Sequence, residues 1–506
     1  MWLIKKKFWN WVTTRKFSSN KVVQVPVPRE SKRRLELVRL SSLIPDIPIS
    51  NVWLADHIPE DERSLRTRMQ QSVLDVQRRL LRLLPPMEEG LPPIDDDPKK
   101  ALGEAYTRRH ERLFPRPRLP MEFTPDPDLG KLAVTSPYYC YLERTAGDEY
   151  HWDFSQFRRY EHHAGLRSLA VRVLFRVEAS QRRLRAVRIE SDELGTTKPG
   201  DEDWPLARKL ALCAATTHMS LVRHLNWIHL TGGNAIAIAT RNCLPAAHPL
   251  RRLLWPHVYG TQNSNLLTIK SQLVPRGDFE SIFSFTHPSL CRLLDDTRDE
   301  FDLAQLDPEL DARQRGLLEN GLELPTLENR RELFEVMRAH ASRYLRLYYD
   351  SDDSLRRDEA FHCWVAELDR MLPRGTLALL GEEPTLKSAA RLVAALIYLE
   401  TVEHEVLGTC LWNYQVWTHV QPVRIYRNGQ REPLDVYQRL INTNFILNVH
   451  RTPLLEDFSR LALDVRGASA MRTFREQLQH LEEGMRQQGW AAWRVTPREL
   501  EASINA

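Results

Sequence analysis

The segment HMSLVRHLNWIH, residues 218–229, constrains the chain more than any other. It carries His218, His224 and His229 inside an otherwise apolar helical pattern. Metal-binding helices usually place ligands four residues apart, because side chains at that spacing share a face. Five residues of α-helix turn through roughly 500°, which leaves the rings of His224 and His229 about 140° apart. They converge only if the helix widens locally to i→i+5 hydrogen bonding, a π-type distortion that is frequent at functional sites. Either this segment is an ordinary helix with histidines packed at random, or it is a π-widened metal-binding helix buried in a large core.

A chain of 506 residues with 42% apolar and 27% charged residues can supply such a core. The net charge of +4 is unevenly spread. Residues 1–40 hold eleven Lys/Arg and two Asp/Glu, a local +9, so the remainder carries 4 − 9 = −5. A mildly acidic body argues against nucleic acid as a partner. The basic stretch MWLIKKKFWNWVTTRK places Ile4, Phe8, Trp11 and Val12 at helical spacing between lysines. Residues 1–16 therefore read as a candidate amphipathic anchor for peripheral membrane association, or as a plain solvated tail. The apolar run there is too short for a secretory signal, and no apolar run in the chain reaches the ~18 residues of a membrane span. Cys140, Cys213, Cys243, Cys291, Cys363 and Cys410 form no CxxC pair, as expected of free thiols in the cytoplasm.

Three regions are expected: a basic extension over 1–58, a helical and connector segment over 59–125, and a main domain over 126–506. Residues 17–57 read as poorly ordered or draped over the body. The run 59–85 reads as a helix ended by Pro85, with a short helix near 98–112. KLAVTSPYYCYLE, SLAVRVLFRVE and RLRAVRIES read as strands, the last two pairing as a hairpin. Helical patterns dominate from Asp203 onward, over 203–240, 291–315, 328–350, 354–372, 384–417 and 468–489. No GxGxxG, Walker loop or GxSxG elbow is present, which removes the nucleotide and serine-hydrolase readings.

The residues after His229 are specific. ATRNCLPAAHPLRRLLWPH (239–257), with Thr261 beyond it, resembles the central signature of the lipoxygenases. DWPLARKLALCAATTHMSLVRHL resembles the helix that leads into that family's His-x4-His pair. YLRLYYDSDDSLRRDEAFHCWVAEL (344–368), VEHEVLGTCLWNYQVW and the final PRELEASINA resemble later family segments, in the family's order. The likeness covers about residues 120–506 and is closest to single-domain, bacterial-type members without the N-terminal β-sandwich.

The resemblance implies a mainly α fold, a helical catalytic domain around long core helices with a few short β-strands. It implies one non-haem iron per chain, held by His224, His229 and His404 with the terminal carboxylate of Ala506. Three neutral imidazoles and one carboxylate with open positions suit mononuclear iron that handles oxygen. In that family a hydrogen atom leaves the methylene between two cis double bonds, and O2 adds to the carbon radical. The implied function is a dioxygenase that converts a polyunsaturated fatty acid or acyl chain to a lipid hydroperoxide.

Three positions depart from the family pattern. The fourth side-chain ligand, Asn or His in the family, is Gly408, a vacant ligand position that water or Glu405 could fill. Where oxygen access is steered, the chain has Thr268 for a small residue and Ile269 for Arg. These departures motivate two alternatives on the same fold, a hydroperoxide isomerase or lyase and an inactive lipid-binding member. Glu400, Glu403 and Glu405 read as solvated or helix-pairing residues, His218, His248 and His257 as hydrogen-bonded packing residues, and His162 and His163 as solvent-exposed.

Overall fold

The alternating runs SLAVRVLFRVE and RLRAVRIES form the long hairpin of a five-stranded antiparallel sheet in the computed structural model. The structure describes residues 22–64, 126–178, 182–410, 420–430, 452–489 and 494–504, with scattered positions within 68–76 and 414–440. The strands are β3 (Glu143–Ala146), β4 (Glu149–Asp153), β5 (Val171–Glu178), β6 (Arg183–Ser191) and β7 (Gly195–Thr197), and each pairs with the next. β5 and β6 run from Val171 opposite Ser191 to Glu178 opposite Arg183. Val171, Val173, Phe175, Leu184, Ala186 and Ile189 are buried, as expected of alternation with one face on a core.

The first strand expectation fails in part. KLAVT of KLAVTSPYYCYLE belongs to helix α1 (Leu129–Thr135), Pro137–Tyr141 form a 3-10 turn, and only Glu143 onward is strand. A short apolar run does not separate strand from buried helix, and the caps decide here. The Asp128 carboxylate accepts from the backbone N–H groups of Gly130 and Lys131, and Ser136 caps the next turn ahead of Pro137.

Helices make up most of the rest. From Trp204 to Cys243 the chain is helical without a break, as α2 (Trp204–His218), a π-helical stretch (Met219–Gly233) and α3 (Asn234–Cys243). Nearly all of its residues from Leu210 onward are buried, so it runs through the core rather than over it. Helices α4 (Pro249–Val258), α5 (Thr261–Thr268) and α6 (His287–Thr297) pack against it, α7 (Pro325–Leu345) packs on α4, and α8 (Glu359–Met371) packs on α3. α9 (Leu386–Tyr398) starts with a Thr385–Ser388 capping box and is widened to a π turn over Leu399–Glu403. It continues as α10 (His404–Cys410), which packs against the Met219–Gly233 stretch. α11 (Val465–Gln487) lies on α7.

The described part of the N-terminal segment packs onto these helices. Strands β1 (Leu37–Arg39) and β2 (Trp53–Ala55) pair, and Leu35, Ile44, Ile47, Ile49, Val52 and Leu54 are buried. The Asn242 side chain bonds both the N–H and the C=O of Leu35, at 3.0 and 2.9 Å. Arg241, only 1% exposed in its side chain, pairs with Asp61 at 3.0 Å and with Glu62 at 2.6 Å and lies over the Trp255 ring. Removing one partner from such a buried pair typically costs about 3–5 kcal/mol, because the other charge is left uncompensated. The residues expected to form the anchor (1–16), most of the 59–85 helix and the short helix near 98–112 lie outside the described residues. No helix among the described residues is long and apolar enough to cross a membrane.

Candidate metal centre

The two core helices widen where they carry their histidines. The π-helical stretch Met219–Gly233 contains His224 and His229, and the π turn Leu399–Glu403 immediately precedes His404. Five-residue spacing, which splays two rings on an α-helix, aligns them under i→i+5 hydrogen bonding. The rings of His224, His229 and His404 stand with centroids 4.8–5.0 Å apart. Their coordinating nitrogens lie within 4.8 Å of one another, and all three residues are buried.

Hydrogen bonds at the back of two rings fix which nitrogen points inward. His229 Nδ1 faces the Asn265 carbonyl oxygen at 3.3 Å, while the Asn265 amide donates to the His229 backbone carbonyl at 2.8 Å. His404 Nδ1 faces the Glu405 carboxylate at 3.2 Å. Each Nδ1 then carries the hydrogen, and each Nε2 keeps its lone pair. The two Nε2 atoms stand 3.2 Å apart, and His224 Nε2 is buried with no hydrogen-bond partner. Burial pushes His229 and His404 down to about 3 and His224 well below the ordinary imidazole range, with the neighbouring rings adding to it for His224 and His229. Three buried imidazoles thus turn toward one point, those of His229 and His404 with Nε2 lone pairs facing each other, an arrangement that a cation between them would relieve. The 3.2 Å between the Nε2 atoms of His229 and His404 suits two nitrogens that would be held by one metal ion, with His224 closing the group.

Glu405 does not reach toward the vacant position, as it could have done; its carboxylate orients His404 from behind. Gly408 faces the cluster, since a Cβ built on it would stand 3.2 Å from His224 Nε2. Thr268 ends α5, Ile269 opens the π turn Ile269–Leu273, and both are buried. Thr268 is three residues beyond Asn265 and so shares its helix face. Ala506 lies outside the described residues. The tail that leads to it is held in the core: His257 Nδ1 bonds the Ala502 carbonyl at 2.7 Å, and the Ser264 hydroxyl donates to the Ile504 carbonyl at 3.3 Å. Gly232 and Gly233 make room on the core helix. A Cβ at Gly232 would stand 2.6 Å from Leu399 Cδ1, and one at Gly233 2.6 Å from Ile504 Cδ1.

Several polar residues differ from their sequence reading. Glu400 and Glu403 are buried rather than solvated. Glu403 pairs with Arg330 at 3.2 Å. His162 and His163 are half-buried and bonded, His162 to the Leu169 amide and His163 to the Glu280 carbonyl, both at 3.1 Å. His218 meets the Tyr141 hydroxyl and His248 the Asp358 carboxylate, as packing residues should. Sequence reasoning gave Asn265 no role. The signal was present, because Asn265 closes the Thr-initiated end of the central signature (TQNSN). The cysteines described in full, Cys140, Cys213, Cys243, Cys291 and Cys363, are all free thiols.

A mainly helical protein with a buried three-imidazole site between two π-widened core helices is the class that fold and site define. The lipoxygenase family profile matches residues 157–444, and the chain belongs to the lipoxygenase family. It is 26% identical over 246 residues to mouse polyunsaturated fatty acid lipoxygenase ALOX15, covering 46% of this chain and 36% of that protein. It is 30% identical over 148 residues to mouse polyunsaturated fatty acid lipoxygenase ALOX12, covering 29% and 22%. The matches thus span about a third or less of these curated relatives. Among solved structures, coral 8R-lipoxygenase superposes with a TM-score of 0.75 at 16% identity, covering 93% of this chain and 79% of that one, a likeness of fold.

Proposed function

We propose that the chain is a non-haem iron dioxygenase that inserts O2 into a polyunsaturated fatty acid or acyl chain to give a lipid hydroperoxide. The observation that carries this reading is the convergence of three neutral, buried imidazoles on one point. Bound iron would supply the one-electron oxidation that a weak C–H bond between two double bonds requires. His224, His229 and His404 would hold it, with the carboxylate of Ala506. The protein's own part is to keep the rings neutral by burial, to fix two tautomers through Asn265 and Glu405, and to exclude water.

Oxygen uptake with linoleate, followed by product analysis, tests the reaction. Consumption of one O2 per hydroperoxide formed is the expected result; an iron-loaded protein that consumes no O2 with any polyunsaturated acid would refute it. Thr268 and Ile269 are proposed to steer O2, so Thr268→Ala should change the oxygenated carbon or the product hand. An unchanged product from that variant removes Thr268 from the role.

A second reading keeps the iron but changes the reaction, to isomerisation or cleavage of a supplied hydroperoxide. Gly408 favours it, because a residue without a side chain offers no ligand beside His224. Turnover of a hydroperoxide without O2 uptake would select it. Peripheral membrane association through residues 1–16 belongs to the same proposal. Deleting them should lower co-sedimentation with anionic vesicles, and equal binding with and without them would make the segment a plain tail.

A further inference from the structure

Glu400 is fully buried, and no side chain hydrogen-bonds to either carboxylate oxygen; the backbone N–H of Ile504 is the neutral group that faces it. Among the described residues no Lys or Arg pairs with it, whereas Glu403 on the same turn pairs with Arg330 and Glu405 with His404. Burying a carboxylate with no cation beside it and one backbone amide against it is among the costlier things a fold can do. Glu400 therefore calls for a compensating group.

Its position indicates which one. Glu400 lies four residues before His404 and shares its helix face. Gly233 lies four residues after His229 on the facing helix, and a Cβ there would stand 3.2 Å from Glu400 Oε1. The same Cβ would meet Ile504 Cδ1. Glu400 thus sits about one helical turn from the three rings, on the side where the C-terminal tail arrives, while Gly408 sits one turn beyond His404 on the other side, against His224. We propose that Glu400 is a second carboxylate of the metal centre, whose charge is compensated by the bound ion from the side of His404 opposite Gly408.

The inference rests on the metal-site reading of the three histidines. Burial pushes the Glu400 carboxyl well above the ordinary carboxylate range, as expected of an acid that has no cation beside it. Its oxygens stand outside the group of three converging nitrogens, so its action is by charge from the next turn. The negative charge favours binding of the ion and stabilises its higher oxidation state.

Glu400→Gln keeps the shape and removes the charge. Fe(II) affinity, by competition with a chelator under anaerobic conditions, and the Tm of chelator-stripped protein are measured for the wild type, Glu400→Gln, Glu400→Asp and His404→Ala. Glu400→Gln should bind Fe(II) about 10- to 100-fold more weakly, while its stripped form melts higher than wild type because an uncompensated acid is gone. Glu400→Asp, which keeps the charge, should retain more affinity than Glu400→Gln. The proposal is overturned if Glu400→Gln binds Fe(II) as tightly as wild type. It is also overturned if affinity and stripped-form Tm fall together, the mark of a packing role. Full Fe(II) affinity in His404→Ala would instead overturn the metal-site reading beneath it.

Discussion

His229→Ala is expected to leave the protein folded and almost without iron. Its Nε2 stands 3.2 Å from His404 Nε2 in the three-ring group, so the variant removes one of the few proposed ligands. Loss of an outer partner of a ligand already costs about 10- to 100-fold in metal affinity; loss of the ligand itself should exceed that. Metal analysis of wild type, His224→Ala, His229→Ala and His404→Ala, purified side by side, gives the result directly. Full iron content in any one variant removes that residue from the ligand set. Asn265→Ala supplies the internal scale, because it touches only the back of His229, at Nδ1 and at the backbone carbonyl. It should lose less iron than His229→Ala. The same measurement reaches Ala506: a short extension after it moves the carboxylate and should reduce iron content as a ligand substitution does, whereas unchanged iron would exclude it.

The histidine spacing by itself left the site undecided, and the signature after His229 made it legible. Five residues between His224 and His229 is a poor metal spacing on an α-helix, and the chain resolves the conflict by widening the helix over Met219–Gly233. His404, 175 residues beyond His229, carries no local signal. Only the resemblance of its surroundings to a known family connected the two helices. The long hairpin was legible from its alternation. The segment after Asp128 was not, because side-chain caps rather than periodicity decide between helix and strand there. Buried acids were the least legible. Glu400, Glu403 and Glu405 fall within six residues and look alike in sequence. One has no charged partner among the described residues, one holds Arg330, and one orients His404. What separates them is which face of a widened turn each occupies, and that depends on packing against a helix distant in sequence.

Gly408 is where the family pattern and this chain part, and its geometry yields an ordered prediction. A Cβ at 408 would stand 3.2 Å from His224 Nε2, 3.6 Å from Cε1 and 3.9 Å from Cδ2. The nearest atom is Nε2, the nitrogen proposed to hold the metal, so a side chain there meets the ring at that edge. The first contact is tighter than ordinary packing, and the His224 ring must yield by a few tenths of an ångström. The entry of any side chain at 408 is conditional on that movement. Gly408→Ala displaces the ring and adds no ligand, so its Fe(II) affinity should fall, by about 10-fold on the scale of outer-partner losses. Gly408→Asn displaces the ring equally but brings an amide oxygen to the metal from the His404 face of α10, four residues on. Its affinity should exceed that of the Ala variant and reach or pass wild type. Equal affinities for all three proteins would mean that position 408 has no bearing on the metal. The reaction then separates the two functional readings. Dioxygenation of linoleate should survive in Gly408→Asn, because the added ligand restores the family's usual set. A reaction that needs a peroxide oxygen at the open position should be lost in the same variant while iron is retained, because the amide occupies the site that the glycine leaves free.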